Sequence, residues 1–337
     1  MNDTDVILLG HGGGGELTHQ LISEVIFPLL ANPVLAQMDD GACVTVPERD
    51  LVLTTDSFVV DPLFFPGGNI GTLAACGTLN DLAMQGAEPR YLTLGLILEE
   101  GLPIHDLRTI IQSLAEVVRQ VGATVVAGDT KVVERGKGGG IYINTAGLGV
   151  RNPQVNVHIG NARPGDVILL TGSIGEHGMA VMSRRQGLQF ETDLVSDVAA
   201  LWPLVRNLLL KCPRVHVLRD PTRGGVTAAL CDLAGASRVG VRIREAAIPV
   251  LPAVRGACGL LGLAPLNVAN EGKALVVCDP ADARAALDVL REHPLGRAAA
   301  VIGRVTAEPA GMVLIETLIG GERILTPPAG EELPRIC

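Results

Sequence analysis

Two patterns of apolar and polar residues recur along this chain. Between residues 103 and 120 the apolar side chains fall on one face at helical spacing; they are Leu107, Ile110, Ile111, Leu114, Val117 and Val118. Short continuous apolar runs, as at 124–127 and 167–170, are instead typical of buried strands. Because strands and helices alternate, the pattern predicts an α/β fold with mixed sheets.

The same two patterns predict the other elements. Helices are expected at 16–30, 71–85, 103–120, 226–234 and 281–292. Strands are expected at 51–55, 90–98, 124–127, 141–150, 167–170, 215–218, 274–278 and 299–305, the first of them forming a hairpin with 43–46.

The polar segment 161–166 separates the two series and marks a domain boundary. We therefore predict an N-terminal domain at 1–160, a C-terminal domain at 161–325 and a tail at 326–337. The tail is rich in Pro, Gly and charge and has no apolar period, so it is expected to be mobile. Fully extended, it would carry the terminal residue, Cys337, roughly 40 Å. A frayed terminus with an incidental cysteine is the alternative.

Composition narrows the class of partner. The chain has 337 residues, of which 47% are apolar and 19% charged, as expected for a globular protein with ample core. Aromatic residues make up only 2%, and the net charge is −9. Nucleic-acid binding is therefore not expected, because it relies on basic surfaces and stacking side chains. An acidic protein can still bind a polyanion such as ATP if a cation lies between them.

The cysteines and the apolar runs bear on location. Seven cysteines include no CxxC pair, which is typical of reduced thiols in a cytoplasmic protein. The segment 1–5 has no basic signal-peptide start. The long uncharged run 62–80 is interrupted by Pro and Gly, so no membrane span is expected.

Four aspartates suggest a magnesium–nucleotide site. Asp40 precedes a predicted strand, while Asp56 and Asp129 follow predicted strands. Asp81 lies in the second half of a predicted helix, where its charge opposes the helix dipole. Carboxylates that converge repel one another unless a cation such as Mg²⁺ lies between them. Ordinary turn and cap roles are the alternative for each aspartate taken alone.

Two glycine-rich segments could approach phosphate groups. The run 10–15 follows an apolar stretch but lacks the Lys and Ser/Thr of a P-loop, so a flexible hinge is the alternative. The segment 220–225 lies between a predicted strand and a predicted helix, which is typical of an anion-binding corner. Helix capping by Asp220 or Thr222 is the alternative there.

Seven sequence runs together resemble a known family. The runs are GHGGGGELTHQLI, TTDSFVVDPLFFPGGNIG, GTLNDLAMQGAEPRYL, GDTKVV, DPTRGG, NEGK and the terminal PRIC. They are similar to the HypE family of nickel–iron hydrogenase maturation factors, in the superfamily of aminoimidazole ribonucleotide (AIR) synthetase and selenophosphate synthetase. The resemblance covers essentially the whole chain, and its long runs and terminal cysteine are specific.

The resemblance implies a fold and an activity. It implies an AIR-synthetase-like fold of two α/β domains, with a homodimer formed through the N-terminal sheet. It also implies ATP-dependent dehydration of an S-carbamoylated C-terminal cysteine to a thiocyanate. The implied partners are the carbamoyltransferase HypF and the iron scaffold proteins HypC and HypD, which receive the cyanide.

The resemblance also assigns residues. It makes Asp40, Asp56, Asp81 and Asp129 ligands of Mg²⁺–ATP, with Asn80 and Gly128 beside the nucleotide. Cys337 would carry the carbamoyl group. Glu271 would act as general base, and Lys131 would stabilise the phosphate or the reacting oxygen.

Two other functions remain open at this point. One is a small-molecule kinase of the same superfamily, of the selenophosphate synthetase or thiamine-phosphate kinase type. The selenophosphate enzymes need a Cys or selenocysteine and a Lys in the N-terminal glycine loop, and segment 10–15 has neither. The other is a non-catalytic, ATP-dependent scaffold that docks the maturation partners.

Overall fold

A computed structural model describes residues 6–8, 11, 16–37, 50–187, 194–327, 333 and 336. Its helices are α1 (Glu16–Leu21), α2 (Phe27–Leu30), α3 (Ile70–Met84), α4 (Ile104–Val121), α5 (Glu176–Gln186), α6 (Trp202–Lys211), α7 (Gly225–Ser237), α8 (Pro252–Leu261) and α9 (Pro280–Glu292). Its strands are β1 (Asp50–Phe58), β2 (Phe64–Phe65), β3 (Gly68–Asn69), β4 (Ala87–Glu99), β5 (Thr124–Val133), β6 (Ile141–Arg151), β7 (Val167–Leu170), β8 (Val215–Arg219), β9 (Gly240–Arg244), β10 (Leu275–Cys278), β11 (Ala300–Thr306), β12 (Val313–Glu316) and β13 (Glu322–Leu325).

The first half of the chain forms a four-stranded mixed sheet. The strand order is β1-β6-β4-β5, and only the β4–β5 pair is parallel. Helix α3 crosses one face of this sheet, as shown by the buried hydrogen bond between Thr78 on α3 and Thr145 on β6. Asn69 caps α3 by accepting hydrogen bonds from the amides of Gly71 and Thr72 at 2.8 and 3.2 Å.

The opposite face of the four-stranded sheet is open in the single chain. Leu51 and Leu53 on β1 are 46% and 73% exposed, and Ile97 on β4 is 44% exposed. A row of exposed apolar side chains on a sheet is typical of a surface that another protein covers. We call this side of the sheet, defined by these three residues, the open face.

The second half forms a seven-stranded sheet, with the order β13-β12-β9-β11-β7-β10-β8. Neighbouring strands are antiparallel except for β9 and β12. Helix α7 covers one face and helices α6 and α9 the other, each over its own cluster of Val, Leu and Ile. The continuous apolar runs of β7 and β10 predicted buried strands, and the helices on both faces of this sheet bury them.

The two halves are joined through α3. The side-chain amide of Asn80 donates to the carbonyls of Ala199 and Glu271 at 3.0 and 3.2 Å, and its oxygen accepts from the amide of Leu201 at 2.8 Å. Asn80 is 1% exposed, so it is a buried polar side chain with its hydrogen bonds satisfied. The helix that packs on the first sheet therefore also positions a loop of the second half.

The predicted elements are present, with different ends. The long helix expected at 103–120 is α4, and the strand expected at 124–127 continues to Val133. The strand expected at 51–55 likewise continues to Phe58. The predicted ends were wrong because Gly and Asp usually favour turns, whereas the backbone hydrogen bonds of this sheet hold them in strands. The partner strand 43–46, the glycines 12–15, Asp40 and Cys337 lie outside the described residues.

The close packing of α3 on α4 gives a test of the fold. A side-chain carbon added at Gly71 would lie 2.0 Å from the carbonyl oxygen of Ile110, so Gly71→Ala should force the helices apart and destabilise the protein by roughly 1–3 kcal/mol. The control is Gly259→Ala on α8, where the added carbon would have no neighbour within 4 Å and about 0.5–1 kcal/mol of stabilisation is expected. Urea unfolding of both variants measures the difference, and equal stability would contradict this packing.

Candidate functional site

Two of the predicted aspartates meet between β1 and α3. Asp56 and Thr145 pair in register on neighbouring strands, and Thr145 faces α3, so Asp56 faces α3 as well. Its carboxyl group hydrogen-bonds the carboxylate of Asp81. Thr54, two residues earlier on the same strand face, donates to Asp81 at 2.7 Å. Burial, followed by the charge and hydrogen bond of Asp81, raises the pKa of Asp56 to about 6.

A third carboxylate comes from the second half of the chain. Asp220 directly follows β8 and is 9% exposed. Burial raises its pKa to about 7, and the charges of Asp81 and Asp56 add to the shift while Arg219 opposes it. Arg223 lies near enough to lower the pKa of Asp56. Three acidic side chains and an arginine thus lie at the junction between the two halves, and we call them the junction cluster.

The junction cluster has the donor chemistry that a magnesium ion prefers. Burial and the nearby charge of Asp81 both disfavour the ionised form of Asp56, and a hard divalent cation between the two carboxylates would relieve their repulsion. Within the described segments, no three His, Cys, Asp or Glu side chains are close enough to hold a metal by themselves. Phosphate oxygens and water usually complete the shell of Mg²⁺, so an incomplete protein set fits this ion.

Asp129 and Lys131 lie elsewhere. Asp129 is in register with Gly95, and Gly95 with Asn144, which pairs with Ser57. This row is one residue out of step with Asp56, so its side chains point to the other side of the sheet. Asp129 and Lys131 are therefore exposed on the open face, whereas Gly128 is in register with Leu94 and so lies in the row of Asp56. Within one chain the structure does not bring them to the junction cluster.

Glu271 lies in a buried loop that is fixed from several sides. The carbonyl of Glu271 accepts from Asn80, while the amides of Glu271 and Gly272 donate to the carboxylate of Asp197 at 3.3 and 3.2 Å. Glu271 is only 3% exposed. The thiol of Cys76 on α3 is buried nearby, and burial, together with the charges of Glu271 and Asp197, raises its pKa. The backbone of Glu271 is thus fixed and its side chain buried, and a carboxylate in this setting is suited to taking a proton from a small group.

Asn270 connects the loop to two glycine-rich segments, residues 172–178 and 220–225. Its side-chain oxygen accepts from the amide of Gly175 at 2.7 Å, and its side-chain nitrogen donates to the carbonyl of Pro221 at 3.0 Å. Gly225 approaches the same loop so closely that an added side-chain carbon would lie 2.4 Å from the carbonyl oxygen of Leu266. The segments DPTRGG, GSIGEHG and NEGK, far apart in sequence, are thus one assembly.

A buried lysine neutralises part of this assembly. The ammonium group of Lys273 lies 3.8 Å from Glu176 and 3.7 Å from Asp197. Burial raises the pKa of Glu176, and Lys273 opposes that shift. These three residues line or adjoin a cavity of about 370 Å³ that also includes Ser173 and Arg297.

The end of the chain is docked beside this loop. Ile336 is 3% exposed and belongs to the same apolar cluster as Val268 and Ala269, which precede Asn270. The carbonyl of Ile336 accepts a hydrogen bond from His177 on α5 at 3.0 Å. Leu333 packs onto α5 at Gly178. The segment predicted to be mobile therefore has two of its residues held on the C-terminal domain.

Three residues of the site were missed by sequence reasoning. The sequence suggested a capping role for Asp220, but the residue at the start of α7 is Gly224 and no side chain caps it. The position of Asp220 at the carboxyl end of a strand was the usable signal, since ligand sites gather there. Asp197 and His177 had no local signal, because their partners lie in distant parts of the sequence.

Models of two known domains match the chain. Residues 38–151 match the N-terminal domain of AIR synthase related proteins, and residues 163–315 match the C-terminal domain of the same family.

Several known proteins are similar over nearly the whole length. Carbamoyl dehydratase HypE of Cupriavidus necator is 50% identical over 330 residues, which cover 98% of this chain and 94% of the relative. A crystal structure of the hydrogenase maturation protein HypE in complex with ATP superimposes with a TM-score of 0.95 at 46% identity, covering 98% of this chain and 99% of that one. A chain of a HypE–HypF complex has a TM-score of 0.81 at 46% identity, with 91% and 99% covered.

These similarities confirm the fold class and the enzyme class that the sequence resemblance implied, and they favour the dehydratase over the kinase and the scaffold. The chain, with its two AIR synthase related domains and its docked C-terminal end, belongs to the HypE family of carbamoyl dehydratases.

Proposed function

We propose that this chain uses ATP to dehydrate a carbamoyl group carried on the thiol of Cys337. The product would be a thiocyanate, which supplies cyanide ligands for the iron of nickel–iron hydrogenase. The observation that carries the proposal is the position of Ile336, which is buried beside the loop of Glu271. Cys337 is the next residue in the chain, so the peptide bond keeps its Cα about 3.8 Å from that of the anchored Ile336.

ATP and Mg²⁺ would occupy the junction cluster. A relative of this family has been solved with ATP, and the cluster offers carboxylates for a cation and Arg223 for a phosphate. Mg²⁺ would neutralise charge between the carboxylates and the triphosphate. We retain Asp40, Asp56, Asp81 and Asp129 as ligands of Mg²⁺–ATP and add Asp220. Asn80 and Gly128 would support the site, Asn80 by holding α3 against the second half.

The reaction needs an activated oxygen and a base. The carboxamide oxygen would attack the γ-phosphorus of ATP, releasing ADP and leaving a phosphorylated imidate on the sulfur. Loss of the two nitrogen-bound protons and of phosphate then forms the carbon–nitrogen triple bond. Glu271 would accept these protons in turn, and its burial and fixed backbone support this role. Lys131 would stabilise the phosphate or the reacting oxygen.

A homodimer would explain why proposed site residues lie on both faces of the N-terminal sheet. Asp129 and Lys131 lie on the open face, away from Asp56 and Asp81 of the same chain. Pairing two open faces would bury Leu51, Leu53 and Ile97. Because β1, which carries Asp56, is an edge strand of the sheet, Lys131 of the partner subunit could complete a site around that edge. We therefore propose that the sheet is the dimer interface.

The proposed partners are those that the family resemblance implies. A HypF-type carbamoyltransferase would load Cys337, in keeping with the solved HypE–HypF complex of relatives, and a HypC–HypD complex would receive the cyanide. Among the described helices none is long and apolar enough to cross a bilayer. We place the protein in the cytoplasm, where Cys337 and the free thiols of Cys76, Cys212, Cys231, Cys258 and Cys278 would stay reduced.

The first test concerns the carrier. After loading by a carbamoyltransferase and addition of ATP, the C-terminal peptide should lose the mass of one water, and Cys337→Ala should abolish this product while ATP still binds. Peptide mass spectrometry measures both. Cys231→Ala, which removes a half-buried thiol on α7, is the matched control and should keep full activity. Product formation by Cys337→Ala would show that the tail is not the carrier.

The second test concerns the cation. Asp81→Asn removes the charge that faces Asp56, so magnesium-dependent ATP binding should weaken roughly ten-fold or more, since contacts to a charged group contribute about 1.5–3 kcal/mol. Isothermal titration with and without Mg²⁺ measures the change. Asp288→Asn on the exposed side of α9 is the control and should bind as the parent does. Unchanged binding by Asp81→Asn would remove Asp81 from the site.

The third test concerns the shared site. Asp81→Asn and Lys131→Ala should each be inactive alone. Mixed by co-refolding in equal amounts, they should recover about a quarter of the parent activity, because half the dimers then contain one intact site of two. No recovery, despite heterodimers seen by native mass spectrometry, would place both residues in one subunit's site.

A further inference from the structure

His177 is a buried histidine for which the reaction gives no role. It lies in the first turn of α5, is 0% exposed and stands edge-on to Phe65, with the ring centres 5.3 Å apart. Both ring nitrogens are engaged: Nδ1 lies 2.8 Å from the hydroxyl of Ser196, and Nε2 lies 3.0 Å from the carbonyl oxygen of Ile336. The histidine therefore bridges the body of the protein and the end of its own chain.

The partners fix the tautomer. A carbonyl oxygen can only accept, so Nε2 must carry the proton that it donates to Ile336. Burial lowers the pKa of His177 and favours the neutral ring, which leaves Nδ1 as an acceptor. Ser196 then donates to Nδ1 while its oxygen accepts from the amide of Val198 at 3.1 Å. The serine thus holds the ring in the one neutral form that can hold the tail.

The position of Ser196 is itself fixed by both halves of the chain. Its amide donates to the carbonyl of Pro66 at 2.8 Å, and an added side-chain carbon at Gly67 would lie 3.0 Å from its backbone. The next residue, Asp197, accepts from the loop of Glu271. The hydrogen bond to Ile336 is therefore made by a group whose coordinates are tied to the loop beside which Cys337 has to react.

We propose that His177, oriented by Ser196, is a positioning residue that holds the backbone carbonyl of Ile336 and so sets the register of Cys337 in the docked tail. The inference rests on the proposed function, because it gives the docked tail its purpose. His177 touches no reacting atom. Its contribution is to the fraction of time that the tail is docked, because a buried hydrogen bond lost on one side leaves the other group without a partner.

The test compares three variants of the full-length protein. His177→Leu keeps an apolar volume but removes the donor, so the dehydration rate in a single turnover should fall roughly ten-fold and amide exchange at the C-terminal peptide should rise by a similar factor. His177→Gln can still donate to the carbonyl and should recover most of both. Ser196→Ala frees the other tautomer and should lie between them. ATP affinity should not change in any of the three.

The outcomes separate positioning from simple stability. If His177→Leu and His177→Gln lose rate equally, in proportion to a common fall in melting temperature, the role is structural and the proposal is wrong. It is equally wrong if exchange at the C-terminal peptide stays at the parent value in His177→Leu, or if Ser196→Ala, the fallback should His177→Leu not fold, leaves both rate and exchange unchanged. Cys337→Ala judges the proposed function separately, because it removes the carrier without touching His177.

Discussion

The site depends on how the buried loop of residues 270–273 is held. Asn80, in the first half of the chain, donates to the carbonyl of Glu271. Asp197, which lies between α5 and α6, accepts from the amides of Glu271 and Gly272. Asn270 ties it to the two glycine-rich turns. Side-chain amides and a carboxylate thus satisfy backbone groups that neither sheet could satisfy, and this is what allows a polar loop to lie in the core. Motion between the halves would strain these hydrogen bonds, together with the one from Ser196 to Pro66.

Charge is distributed around this loop in two separate groups. On one side the junction cluster gathers Asp56, Asp81 and Asp220, whose mutual repulsion is only partly offset by Arg223. On the other side Lys273 lies between Glu176 and Asp197, which leaves that group closer to balance. The imbalance of the first group makes it receptive to a cation, whereas the second group serves to keep acidic side chains inside the fold.

The sequence predicted the fold class well because its apolar periods are strong. The 18 residues of α4 and the buried strands β7 and β10 were evident from spacing alone. Asp81 was singled out because its charge opposes the dipole of a predicted helix, and Asp56 because it follows the apolar residues of a predicted strand. Their convergence with Asp220 could not be predicted, since it depends on how two domains pack, and no local period reports that.

The placement of Asp129 shows a different limit. Spacing predicted that it follows a strand, whereas β5 runs through it to Val133. In a strand, an error of one residue exchanges the two faces, so a site assigned by strand ends can be assigned to the wrong side of the sheet.

His177 lies beyond sequence reasoning for another reason, because its partner is a backbone carbonyl of the kind that every residue has. The hydrogen bond from His177 is made to the main-chain carbonyl of residue 336, so it does not depend on which amino acid occupies that position. The apolar cluster that includes Val268 and Ala269 requires only an apolar side chain of suitable size at position 336. The specificity of this contact therefore lies in His177 and its surroundings and not in the side chain of Ile336. The side chain at position 336 can therefore change without loss of this hydrogen bond.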